Sequence, residues 1–309
     1  MLSRIAEALF WIGRYVERAD NTARILDAHT QLLLEDPWAD TELICRSLLT
    51  IMNAPVPDGG ELNPETVLNS LARDPHNASS IVGSLIAARE NARRARESIS
   101  SELWECLNTT RNDVAHNAAT MVPHDFFVWV RSQAAIVSGL VDSSTSRDAT
   151  WHFMVLGRSI ERADMTARLL TIRAYLGDLG PGWPTLLRSC GAFEAFLRAR
   201  RGTIDEDAAA GFLLRDRLFP RSIVSSLARA HQTLRELEPA EGRRGIDDEA
   251  IRELGIVRTD LEYSRLDDIL SDLPSEMARV QLACSMASQA ISDRYFPAAA
   301  TTKWIGEAL

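Results

Sequence analysis

Hydrophobic residues return every three to four positions over long stretches of this chain, the spacing of one face of an α-helix. No stretch alternates convincingly as a strand would. The clearest case is Ile12, Val16, Ala19, Ala23 and Leu26, an apolar stripe on a first helix expected from a Ser3 cap to about residue 34. Leu156, Ile160, Ala163, Ala167 and Leu170 form the same stripe on a helix expected over about 150–176. Small Ala residues at the centre of each stripe let another helix approach closely.

Pro, Gly and capping residues divide the rest into further helices. Asp36-Pro37 is read as the cap and first residue of a second helix reaching Met52, followed by a loop over 53–60. Asn63-Pro64-Glu65 opens a short third helix ending near Asp74, and a charged fourth covers 79–99. Ser100-Ser101 starts another, and Pro123-His124-Asp125 opens one reaching about Val141, before a polar linker at 143–147. After a Gly/Pro loop at 177–184, helices are expected at about 185–200, 205–215 and 220–237. A loop at 238–245 and two or three C-terminal helices ending near 295–297 complete an all-α chain.

The polar positions repeat as well. The fourteen residues from Gly13 to Leu26 match those from Gly157 to Leu170 at ten positions, 144 residues apart. Packing alone would keep the apolar positions and let charges drift. Here Arg14, Glu17, Arg18, Asp20 and Arg24 recur as Arg158, Glu161, Arg162, Asp164 and Arg168. The likeness extends to Leu71, Arg73, Asp74, Ser80, Ile81, Val82, Ser84 and Leu85 against Leu213, Arg215, Asp216, Ser222, Ile223, Val224, Ser226 and Leu227. Trp38 and Cys45 likewise match Trp183 and Cys190, and the likeness fades past Arg93 and Arg235. The expectation is an internally duplicated helical bundle with halves 1–145 and 146–309 about a pseudo-twofold axis, forming one compact domain. The repeat helices would lie antiparallel across that axis, with Glu17 and Arg18 facing Arg162 and Glu161.

The formal net charge of -9 over 309 residues argues against a general nucleic-acid binder. Cys45, Cys106, Cys190 and Cys284 are widely spaced, which reads as reduced thiols in a cytoplasmic protein. Glu7, Arg14 and Glu17 interrupt any N-terminal apolar run, so neither a signal peptide nor a membrane span is expected.

Three chemistries suit the repeated charges. They could be a structural ion network tying the halves together. They could be a binding site in which Arg14, Arg18, Arg24 and their copies grip a carboxylate or phosphate while Glu17 and Glu161 orient them. Or Glu17 or Glu161 could be a catalytic acid or base. A metal is not expected: Glu17/Asp20 and Glu161/Asp164 have the i, i+3 spacing, but no His accompanies them and Arg supplies the charge. Asp267-Asp268 with Asp272 reads as an exposed acidic helix end. Phe219-Pro220-Arg221-Ser222 reads as a helix start with Phe219 turned inward, the other possibility being an anion site. Arg73, Asp74, Arg215 and Asp216 are candidates to join the network because they recur. The six His have no ligand spacing, and there is no phosphate loop or Ser-His-Asp order.

Leu2-Ser3-Arg4-Ile5-Ala6-Glu7 running into Gly13-Arg14-Tyr15-Val16-Glu17-Arg18-Ala19 resembles the bacterial alpha-E domain family. So do Ser100-Ser101-Glu102-Leu103-Trp104-Glu105, Leu187-Arg188-Ser189-Cys190-Gly191-Ala192 and Phe219-Pro220-Arg221-Ser222, in the family's order and over nearly the whole chain. The resemblance implies an all-helical domain with a characteristic Glu-Arg pair, here Glu17-Arg18 and Glu161-Arg162, with Asp20 and Asp164 where Glu would be equally expected. It also implies a setting: members are typically encoded beside, or fused to, a circularly permuted ATP-grasp ligase, often with a transglutaminase-like protease. This chain would be the stand-alone form. A peptide-synthesis or peptide-modification role follows from that setting, with no reaction or cofactor assigned to the domain itself.

Overall fold

A computed structural model describes residues 1–56, 62–200, 204–238 and 248–297, and those residues are helical with no strand among them. Residues 239–245 of the expected 238–245 loop and 57–60 of the 53–60 loop lie outside the described residues, as does the tail from 298.

The helices are α1 (Ser3–Glu35), α2 (Thr41–Ile51), α3 (Pro64–Leu68), α4 (Ile81–Arg94), α5 (Ser101–Thr120), α6 (Pro123–Ser144) and α7 (Ala149–Leu176). They continue as α8 (Trp183–Ser189), α9 (Phe193–Ala199), α10 (Glu206–Arg215), α11 (Ile223–Leu237), α12 (Glu249–Tyr263), α13 (Leu266–Ser271) and α14 (Leu273–Tyr295).

Several starts differ from the sequence reading, for local reasons. Asp40, not Asp36, caps α2 by accepting from the Leu43 N–H at 2.9 Å, while Asp36 closes a turn on the Trp38 N–H. α1 begins one residue beyond Leu2, with no side-chain cap from Ser3. α4 runs only from Ile81 to Arg94 before a 3₁₀ turn. The helix expected over 185–200 is two helices, divided where Gly191 takes φ +61°. Ser222 caps α11 at the Ser225 N–H, which leaves Phe219, Pro220 and Arg221 in the preceding turn.

That turn is built like the one before α4. The Ser80 hydroxyl donates to the Asp74 carbonyl and caps the Gly83 N–H; the Ser222 hydroxyl donates to the Asp216 carbonyl. Ser84 donates to the Ala78 carbonyl as Ser226 does to that of Pro220. Trp38 and Trp183, by contrast, part company: Trp38 is 95% exposed and Trp183 is buried, so their matching does not reflect a shared environment.

α1, α4, α5 and α6 pack in a ring, each against the next, and α7, α11, α12 and α14 form a second ring. α1 and α7 join them in the most extensive helix–helix contact of the molecule. α8 packs on α1 and α2 on α7. The apolar stripes read from the sequence lie in this junction, and every member of both is buried.

The junction is as tight as helices allow. A Cβ on Gly13 would overlap the Met154 carbonyl oxygen, and one on Gly157 would overlap that of Phe10. The helices run side by side in the same direction, which corrects the antiparallel expectation. Pairs across the junction have sequence separations of 143, 145 and 147. Opposed helices would change that separation by two for every residue moved along. Phe10 and Phe153, toward the start of each helix, both pack on Phe296, with centroids 5.7 and 6.0 Å away. Parallel alignment brings the charged ribs together along their length, where an antiparallel one would join them only at the crossing point.

The candidate site at the junction of the two long helices

Gly13, Glu17, Asp20 and Arg24 fall on one rib of α1 because residues three and four apart share a helix face. Gly157, Glu161, Asp164 and Arg168 form the corresponding rib of α7. The apolar stripe beside each rib pulls it toward the junction, so Glu17, Asp20, Glu161 and Asp164 are all buried. Carboxylates removed from water need partners, and they have them.

Glu161 is held by two arginines from α1. Arg14 Nε donates to Oε2 and Arg18 Nε to Oε1, each at 2.6 Å, and Arg18 Nη2 reaches Oε2 at 3.1 Å. Burial alone would raise the Glu161 pKa, but Arg14 and Arg18 more than reverse that and bring it down to about 2. Arg14 also donates to Ser288 of α14 at 2.8 Å. Trp11 and Tyr15 stack at 5.3 Å, with the Arg14 guanidinium over Trp11 and that of Arg18 over Tyr15.

Glu17 is held from the other side. Arg162 Nε donates to Oε1 at 2.8 Å, and Arg221 Nη1 donates to the same oxygen at 2.7 Å. Arg221 is the residue the sequence reading left out of the network. From the turn before α11 it also donates to Asn21 Oδ1 at 2.6 Å and to Asp20 Oδ2. Burial would lower the Arg221 pKa, and Glu17 with Asp20 pushes it up instead. Asp20 takes a further bond from Arg24 at 3.1 Å; its pKa is lowered, burial being outweighed by Arg221 and Arg24. Ser79 stands at the matching place in the turn before α4, so α7 receives no equivalent cation. The turn carried little signal for it: between the recurring Asp216 and Ser222 every position differs from the turn before α4.

Among the described residues Asp164 is hydrogen-bonded by one cation, Arg168, at 2.9 Å; burial, together with the nearby Glu161 charge, raises its pKa against the pull of Arg168 and Arg14. Arg158 departs from the repeat altogether. Its copy Arg14 bonds Glu161 across the junction, whereas Arg158 goes to Asp142 of α6, with its nearest oxygens at 3.4 Å. The remaining recurring charges do not join the network. Arg73 goes to Glu65, Asn69 and the Ala118 carbonyl, and Arg215 to the Ser264 carbonyl. Asp74 and Asp216 accept from backbone N–H groups of their own turns.

At the far end of the α1 rib, Arg24 lines a cleft of about 220 Å³ with Asp27, His124, Arg131 and Arg188. Gly191 makes the room: a Cβ there would lie 2.8 Å from an Arg24 terminal nitrogen. Asp27 is shared by His124 at 2.7 Å and Arg131 at 3.3 Å, and Arg188 approaches Glu35 at 3.7 Å and lies over the Phe193 ring.

Among the described residues no helix is long and apolar enough to cross a membrane. No solved structure matches the chain. Curated relatives include uncharacterized proteins of Mycobacterium bovis and of two strains of Mycobacterium tuberculosis, each 27% identical over 270 residues. The alignment takes in 77% of this chain but 30% of each relative, so the chain spans under a third of their length. A family model named Alpha-E, described as a predicted alpha-helical domain with a conserved ER motif, matches residues 1–296. With its Glu17-Arg18 and Glu161-Arg162 pairs joined across α1 and α7, the chain belongs to the Alpha-E family.

Proposed function

We propose that this chain is an accessory, binding component of a peptide-synthesis or peptide-modification system, working with an ATP-grasp-type ligase and a transglutaminase-like protease. The ligand class is an anionic peptide or a phosphate-bearing intermediate. The halves 1–145 and 146–309 are read as a duplicated unit about a pseudo-twofold axis. The matching rings of helices, the two like-built serine turns and the mutual Gly13 and Gly157 contacts support that reading.

Within this reading the Glu-Arg pairs fix the α1–α7 junction, and ligand is taken at its edge. The observation that carries this is the Arg24 cleft, where guanidiniums of α1, α6 and α8 converge beside a glycine turn. Its size suits a carboxylate end of a peptide, which arginines bind in a planar, two-point fashion. The rival reading, an enzyme using Glu17 or Glu161 as acid or base, is disfavoured at Glu161. A pKa of about 2 leaves that carboxylate ionised and weakly basic near neutrality. A purely structural scaffold has the cross-paired Glu17 and Glu161 in its favour.

Co-purification with the neighbouring ligase, followed by mass spectrometry of what stays bound, tests the partnership. For the cleft, Arg188→Ala should weaken binding of an acidic peptide at least about fivefold, roughly 1 kcal/mol. Glu17→Gln should lower the melting temperature and leave that affinity unchanged. Peptide retention indifferent to Arg188→Ala, or turnover of a peptide by the purified chain alone, would overturn the reading.

A further inference from the structure

Beside the junction, a larger cleft of about 800 Å³ opens between α6, the start of α7 and α11. It is lined by Asp142, Arg147, Trp151, His152, Arg158, Arg229, Gln232 and Glu236. From this geometry we infer that the cleft is a second anion site, one that takes the phosphoryl group of a small phosphorylated molecule.

Charge is the first argument. In a chain of net charge -9, three arginines and a histidine meet here against two carboxylates. Asp142 serves both Arg147, at 3.6 Å, and Arg158, at 3.4 Å, and also accepts from the Trp151 indole at 3.1 Å. Such separations exceed the 2.7–2.9 Å or so of a strong charge-assisted bond, so the Asp142 carboxylate holds both guanidiniums loosely; Arg147 also donates to the Asp142 backbone carbonyl at 3.1 Å and lies over the Trp151 ring. Arg229 is exposed and has no side-chain partner among the described residues. On the acidic side, Glu236 Oε1 is already taken by the Gln232 amide at 2.8 Å.

The second argument is an unfilled polar position. His152 is 7% exposed, and its Nδ1 makes no hydrogen bond; the nearest carboxylate oxygen, on Glu236, lies 3.6 Å away. A buried ring nitrogen without a partner is costly unless something is bound there during function. The third argument is the break in the repeat. Arg14 bonds Glu161 across the junction at 2.6 Å, while its copy Arg158 goes to Asp142 and lines this cleft.

The number and directions of the donors select the ligand. A carboxylate offers two oxygens in one plane. Guanidiniums approaching from the α6–α7 link, α7 and α11 suit a tetrahedral group with three acceptor oxygens and close to two negative charges. The volume is that of a small-molecule site, larger than phosphate alone requires, so the remainder of the ligand has room. None of the arginines that hold Glu17 or Glu161 takes part. The inference therefore stands or falls separately from the ligase partnership.

Calorimetric titration of the full chain with inorganic phosphate, and separately with acetate, is the test. Saturable phosphate binding is expected, weakened at least tenfold by Arg229→Gln, whose exposed side chain leaves the melting temperature unchanged. His152→Gln should weaken it as well. Absence of saturable phosphate binding, or binding unaltered by Arg229→Gln, would overturn the assignment. Acetate binding as tight as phosphate would overturn the choice of a phosphoryl group.

Discussion

Gly13 of α1 lies directly against the Met154 carbonyl of α7, and no side chain fits between them. Gly157 stands in the same relation to Phe10. These two contacts set how near the helices come, and that separation sets how far each arginine must reach.

Gly13→Ala and Gly157→Ala should therefore each destabilise the fold by about 3 kcal/mol or more, even though Ala is the better helix former by about 1 kcal/mol. The backbone must move apart, and the Arg18–Glu161 and Arg162–Glu17 bonds lengthen with it. Urea unfolding of the two variants against Gly139→Ala, where a Cβ meets nothing, checks this. Equal stability of all three would contradict a junction set by the glycines.

Arg221 is shared by Glu17, Asp20 and Asn21, and its side chain is 13% exposed. Arg221→Met leaves buried carboxylates short of a cation, so a loss of about 3–5 kcal/mol is expected. Arg24→Met, at the more open end of the rib, should cost about 1 kcal/mol or less, since solvent screens its bond to Asp20. Denaturant midpoints of the two variants decide whether Arg221 is the keystone of the α1 side.

Glu161 makes the junction sensitive to strong acid. Its pKa falls from 4.5 to about 2 on folding, so its contribution is complete above pH 4.5 and is lost as pH falls toward 2. The amount is on the order of 3 kcal/mol. Asp20, also lowered, acts in the same sense, while Asp164, raised by burial, acts against it. Glu161→Gln should lower the melting temperature at neutral pH and flatten its dependence between pH 4.5 and 2. A slope there as steep as that of the unaltered chain would refute the assignment.

His29 adds an earlier step, at higher pH. It is fully buried, with Nδ1 2.8 Å from the Ile25 carbonyl and Nε2 without a partner. Burial, only partly opposed by the Ile25 contact, takes its pKa from 6.5 to about 4. The unfolded chain binds a proton in that interval and the folded chain does not, so stability falls as pH drops from 6.5 to 4, by roughly 3 kcal/mol. Melting temperatures of His29→Phe across that range should show a shallower decline, provided the larger ring is accommodated at neutral pH.

The helices were legible where capping and periodicity act over a few residues. α7 and α10 begin within a residue or so of expectation because Asp148 and Asp205 are strong caps beside regular apolar patterns. α2 was placed too early because Asp36-Pro37 and Asp40 both look like starts, and only packing chooses between them. The rib charges were legible because recurring polar residues stand out against a drifting background. Arg221 did not stand out, since it recruits Glu17 from 204 residues away and breaks the repeat in doing so.

By itself the sequence determined an all-helical chain, two apolar stripes with charges beside them, and the small Ala residues that let another helix approach. These follow from the 3.6-residue turn of the helix, which is a local property. The tertiary structure alone decided that α1 and α7 run in the same direction, that Arg221 completes the α1 side, and that Arg158 goes to Asp142 and not to Glu17. Each of those depends on which helix faces pack together, the first two across more than a hundred residues of intervening chain, and short-range periodicity carries no information about that.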